Sequence, residues 1–68
     1  MKMYNFDFMK DGSPEPIETI SNMMRSLDEA KNHCINFYRG RAAVIGANKV
    51  HLRVNGGSTV VYSWPEEA

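Results

Sequence analysis

The chain has 68 residues, 43% hydrophobic and 10% aromatic, with 8 basic and 8 acidic side chains and no net charge. So few residues build one core, so residues 1–68 read as a single domain that buries only about 60% of its unfolded-chain surface. One cysteine (Cys34) excludes an intrachain disulfide, and with two histidines it falls short of a zinc framework. The apolar fraction excludes a disordered chain, and no apolar run approaches the roughly 20 residues of a membrane span.

Met3-Tyr4-Asn5-Phe6-Asp7-Phe8-Met9 alternates with period two, which predicts a strand. Tyr4, Phe6 and Phe8 share one face; Met3, Asn5, Asp7 and Met9 share the other. Residues 10–16 are turn formers with two prolines, Pro14 and Pro16. Ile17–Ser21 reads as a returning strand, and Met23 and Met24 fit either a strand end or a helix approach. Ser26-Leu27-Asp28-Glu29 is a capping box, with acidic residues in the first turn where the helix dipole favours them. Leu27, Ala30, Cys34 and Phe37 or Tyr38 recur at helical intervals, so a helix is expected over 27–39, stopped by Gly40.

After the helix, Ala42-Ala43-Val44-Ile45 reads as a short apolar strand and Gly46-Ala47-Asn48 as a turn. Val50, Leu52 and Val54 then alternate with Lys49, His51 and Arg53, the pattern of a half-buried strand. Asn55-Gly56-Gly57 signals a hairpin, Thr59–Trp64 closes it, and Pro65 ends it before an exposed Glu66-Glu67-Ala68 tail. The expected fold is α+β: an antiparallel sheet of four to five strands with one helix packed on one face, in the order ββαβββ. The register of the last hairpin decides which face carries its aromatics. A two-residue loop places Val60, Tyr62 and Trp64 with Lys49, His51 and Arg53. A three-residue loop with a bulge places them with Val50, Leu52 and Val54, which a small core favours.

Charge is uneven along this neutral chain. Residues 1–29 hold three basic and six acidic side chains, whereas 30–65 hold five basic ones and no acid. An acid-free stretch suits an acidic partner or nucleic acid; the plainer reading is a set of solvated side chains that keep an outer sheet face soluble. Tight independent nucleic-acid binding is not expected, because no reader motif is present, and Phe6, Phe8, Tyr62 and Trp64 are more economically core than base-stacking groups. His33 and Cys34 are helix neighbours about 100° apart and do not form a nucleophile pair. Cys34 lies on the apolar stripe, His51 reads as a surface residue, and Asp7, Asp11, Glu15 and Glu18 match no calcium-loop or phosphotransfer pattern. Gly56-Gly57 precedes no helix and is not a phosphate cradle. No enzyme, metal or cofactor is expected. A single-layer sheet leaves one face uncovered, and with Met3, Met9 and part of 60–64 on it that face implies a protein partner or a second copy of the chain.

Two segments carry a family resemblance. Ser26-Leu27-Asp28-Glu29-Ala30-Lys31 opening a helix, followed by Val44-Ile45-Gly46-Ala47-Asn48-Lys49-Val50, resembles the short phage-encoded anti-CRISPR proteins that act on type I systems. The similarity covers residues 26–54 and leaves the opening strands and acidic tail unmatched. It implies a non-enzymatic inhibitor in the cytoplasm of a bacterial host, binding the Cas surveillance complex and blocking DNA binding or nuclease recruitment. Arg39, Arg41, Lys49, His51 and Arg53 would then be its contacts. The strand hairpin and Ser-Leu-Asp-Glu-Ala helix also resemble the partial RNase H-like domain of small antitoxins, although that family leads on to a DNA-binding segment where this chain has its 49–64 hairpin. A plain dimerising ββαβββ domain is the third reading.

Overall fold

A computed structural model describes residues 1–66. Strand β1 (Lys2–Met9) pairs antiparallel with β2 (Glu18–Met24) on one side and with β3 (Lys49–Val54) on the other; β4 (Val60–Trp64) pairs with β3. The sheet order is β2-β1-β3-β4, and the helical segment lies across one face. The architecture is therefore α+β as expected, but with four strands in the order ββαββ. The second strand is longer than 17–21 and takes in Met23 and Met24.

Two rows of side chains make the centre of the core. Phe6 lies between Ile20 and Leu52, with Tyr62 beyond; Phe8 lies beside Val50, with Trp64 beyond. Phe6, Phe8, Val50 and Leu52 are fully buried, each contributing about 1.5–3 kcal/mol by leaving water. Phe37 of the helix closes over both phenylalanines edge-on, its ring centroid 5.0 Å from Phe6 and 5.9 Å from Phe8. These offset contacts suit the ring quadrupoles.

Helix α1 (Leu27–Phe37) begins as the sequence predicts: the Ser26 hydroxyl accepts from the Glu29 amide at 3.2 Å. The reciprocal bond differs, because the Glu29 carboxylate accepts from the Arg25 amide, one residue before the cap. At its other end the helix does not stop at Gly40. It widens into a π-helical turn (Tyr38–Ala42) and continues as α2 (Ala43–Ile45). The strand expected at 42–45 is therefore helical. Ala30, Cys34 and Ala42 are buried at spacings that are multiples of four. At 3.6 residues per turn, each step of four drifts about 40° around the helix. The wider turn takes up part of that drift and brings Ala42 back to the core.

The stop comes at Gly46. Its φ of 81° is left-handed, and the Ala47 amide reaches back to the Ala42 carbonyl at 2.9 Å. This six-residue closure ties off a helix end, and it is accompanied by burial of both alanines.

In the last hairpin, Tyr62 and Trp64 stand opposite Leu52 and Val50, on the helix side. That is the bulged alternative, although the connection spans five residues, 55–59, with the bulge falling between Leu52 and Arg53. Val60 stands opposite Arg53 and so departs from the expected grouping with the core. Glu66 is exposed as expected, and the rest of the predicted tail, Glu67-Ala68, lies outside the described residues.

Candidate functional site

The helix leaves the other sheet face open, with Met3, Asn5, Asp7 and Met9 on it as the alternation predicts and polar side chains at its centre. Register places Thr19, Asp7, His51 and Ser63 in one cross-strand row, and Ser21, Asn5, Arg53 and Val60 in the next. With no layer above them, Asn5 is still only 8% exposed and Asp7 only 6%. Neighbouring side chains fold over them. Thr19 donates to the Asp7 carboxylate at 2.7 Å, and Ser21 donates to Asn5 Oδ1 at 2.7 Å. The Arg53 guanidinium meets Asp7 through two bonds, Nε to Oδ2 and Nη2 to Oδ1, and its third nitrogen donates to the Gly57 carbonyl at 2.9 Å. Arg53 thus ties the central strand to the β3–β4 turn through a planar, two-pronged contact that lysine could not reproduce.

Opposing effects act on Asp7. Burial pushes its carboxyl up, but the bonds from Arg53 and Thr19 and the charges of Arg53 and His51 outweigh that and hold it below the usual carboxylate range. The same contact raises Arg53 further above its ordinary value.

The ends of this face differ. At one end Met3 and Met23 are cross-strand partners, Met23 being 45% exposed, and Val60 lies two strands away in the next row. At the other end a cleft of about 240 Å³ is lined by Met9, Lys10, Asp11, Gly12, Ser13, Asn48, Lys49 and His51. The cleft lies where the β1–β2 turn meets the start of β3. Lys10, Lys49, His51 and Asp11 are the ionisable side chains among those lining it.

The five predicted contact residues do not converge. Lys49, His51 and Arg53 share the open face, but Arg53 is committed to Asp7, with its side chain only 25% exposed. Arg39 and Arg41 belong to the π-helical turn on the opposite side of the sheet. Arg41 is engaged as well: its guanidinium grips the Glu18 carboxylate at 2.7 and 2.9 Å, fastening the turn to β2 and lowering the Glu18 pKa. Arg39 is exposed. The sequence reading missed the roles of Asn5, Thr19 and Ser21, as well as Lys10 at the cleft. Their signal was a pair of polar residues two apart on each of two strands, which antiparallel pairing aligns.

Other candidate chemistry is absorbed by packing. Cys34 is fully buried, donates weakly to the Val50 carbonyl at 3.5 Å, and is pushed up to about 11 by burial. Its thiolate is therefore suppressed. Lys31 stands 5.2 Å from the centre of the Tyr62 ring, a cation–π contact at the sheet margin. Among the described residues, no group of three or more His, Cys, Asp or Glu is placed to hold a metal, and no helix is long and apolar enough to cross a membrane. No protein-family model, curated protein or solved structure matches the chain.

Proposed function

We propose that this chain is a non-enzymatic binding protein that acts by laying the open face of its sheet on a partner protein. The observation that carries the reading is the polar centre of that face. Asn5 and Asp7 are held nearly out of solvent by Thr19, Ser21 and Arg53, so the middle of the face is pre-organised before any partner arrives. A face ordered in advance loses little side-chain entropy on docking. The methionine end offers adaptable apolar contact, and the Lys10–Lys49–His51 end offers positive charge to an acidic surface.

In its finer form the proposal follows the resemblance: a phage-type inhibitor whose partner is a type I CRISPR–Cas surveillance complex. Within the matched stretch, Gly46 ends the helix and Ala47 and Val50 are buried, so these positions serve the fold. Val44, 78% exposed, and Lys49 at the basic cleft are the matched positions with surface to offer.

The test is affinity capture of tagged protein from cells carrying a type I system, with a Lys10→Glu, Lys49→Glu variant alongside. Arg53 is left intact, because changing it would disturb the fold. Capture of Cas subunits by the wild type and not by the variant supports the proposal and puts the basic end at the interface. Equal capture by both moves the interface elsewhere on the chain, and absence of Cas subunits from the wild-type capture overturns the finer form.

A further inference from the structure

Both outer strands of this sheet have one unpaired edge, and the two edges are not alike. Natural edge strands are kept from pairing by bulges, prolines, lysines or short length. β4 is five residues long, its ladder is interrupted by the bulge, and Pro65 follows it. β2 is seven residues long and contains no bulge, proline or lysine, with Pro16 lying two residues before its start. Its ladder with β1 runs without a break from Lys2 opposite Met24 to Phe8 opposite Glu18. Glu18, its only charged residue, sits at one end and is already engaged by Arg41. The residues flanking and forming this edge include Ile17 and Met23, both 45% exposed, and Leu27 at 39%.

Carbonyl directions along β1 fix which backbone groups of β2 point outward. The Met3 carbonyl accepts from Asn55 at 3.0 Å and so points towards β3; the Phe8 carbonyl accepts from Ile17 at 2.8 Å and points towards β2. Alternation along β1 then directs the even residues 2–8 to β2, so Glu18, Ile20, Asn22 and Met24 use their backbone groups on β1. Thr19, Ser21 and Met23 direct theirs outward. The Met23 amide agrees, since it takes its own neighbour Asn22 Oδ1 as acceptor at 3.1 Å.

We propose that β2 pairs with β2 of a second copy, antiparallel about a two-fold axis through Ser21, joining two sheets into one of eight strands. Such an interface is self-complementary. Ser21 faces Ser21 of the second copy, Thr19 faces its Met23, and Ile20 faces its Asn22. The three outward residues of each strand supply roughly six backbone hydrogen bonds across the axis, two of which replace the bond from the Met23 amide to Asn22 Oδ1 in each copy. Ile17 falls beside Arg25 of the second copy, so its exposed side chain meets an alkyl stem. The two-fold axis is perpendicular to the sheet, so both open faces end on one side. Among the described residues, the edges left are those of the two β4 strands, each with its bulged ladder and following Pro65. The dimer does not depend on the proposed partner; it presents that partner with the docking face twice.

Analytical ultracentrifugation from micromolar to near-millimolar concentration tests it, together with Ser21→Lys, Ser21→Glu and an equimolar mixture of the two. The wild type is expected to sediment at twice the chain mass. Each variant alone places like charges across the axis and sediments as a monomer, and the mixture recovers the dimer through opposite charges. Because the Ser21 variants lose the bond to Asn5, Met23→Lys serves as a second variant; that residue is already exposed, and it too should give a monomer. Amide exchange at Thr19 and Ser21 should slow as concentration rises. A wild type that stays monomeric throughout overturns the proposal. So does a dimer that survives Ser21→Lys and Met23→Lys unchanged, because its interface must then lie elsewhere.

Discussion

Replacing Arg53 by Met tests whether the open face is held together from within. The substitution keeps most of the aliphatic stem but deletes three hydrogen bonds, two to Asp7 and one to the Gly57 carbonyl. Asp7 is left 6% exposed, with Thr19 still donating to it. Breaking a fully buried ion pair by removing one partner costs about 3–5 kcal/mol. Here the Arg53 side chain is 25% exposed, so water already screens part of the interaction and the expected loss is about 2 kcal/mol. A chain this short has roughly 3–10 kcal/mol of stability in total. At about 4–8 °C per kcal/mol, its melting temperature should fall by roughly 8–16 °C. Trp64, the only tryptophan and half-buried against the core, reports unfolding in a urea titration. Asp7→Asn with Arg53→Met should restore part of the loss, giving a coupling energy of about 1–2 kcal/mol in a double-mutant cycle. Single losses below about 0.5 kcal/mol with no coupling would refute the reasoning, and would return Arg53 to the set of side chains available to a partner.

The same carboxylate sets an acid limb. Because Asp7 is held below its ordinary value, it adds stability above about pH 4, and that contribution disappears as pH falls through its lowered value. Denaturation midpoints measured from about pH 7 down to about pH 2 should therefore fall less steeply in Asp7→Asn than in the wild type. At the helix start, Ser26→Ala should cost about 0.5–2 kcal/mol through loss of the bond to the Glu29 amide, checked by urea denaturation. Gly46→Ala should cost about 1–2 kcal/mol, all of it conformational, since a Cβ there meets nothing within 4 Å; Gly40→Ala, at ordinary backbone angles, should be neutral or stabilising. Cys34 should resist a thiol reagent in native buffer and react fully once the chain is unfolded, with a rate that tracks the unfolded population.

The two glycines explain most of what could and could not be read from the sequence. Alternation around Tyr4, Phe6 and Phe8 and around Val50 and Leu52 has period two, the capping box opens the helix, and each of these local signals agrees with the packing. The helix end was harder, because Gly40 and Gly46 are both acceptable stops and Val44-Ile45 favours a strand locally. Choosing between them requires knowing that Ala42 and Ala47 both reach the core, and that is a tertiary fact. The polar centre of the open face was hidden for a related reason. Asp7 and Arg53 lie 46 residues apart and meet only through the register of β1 with β3. In sequence, Arg53 belongs to a basic strand and Asp7 to a scatter of acids, and nothing local joins them.

That pairing also changes how the uneven charge should be understood. The acid-free stretch from 30 to 65 suggests a continuous basic surface, yet folding brings acids from the first part of the chain onto it. Asp7 takes Arg53 in the centre of the open face, and Glu18 takes Arg41 beneath β2. Lys49 and His51 lie with Lys10, from the β1–β2 turn, around the cleft at one end. A partner steered by charge would approach that end first, whereas the methionine end would supply apolar burial once the surfaces met. Reversing Lys10 and Lys49 should therefore slow association and weaken its salt dependence, while trimming Met3 or Met23 should mainly hasten dissociation. Measured on a captured partner across a range of salt concentrations, equal effects of both changes on the association rate would mean that the face does not divide its work in this way.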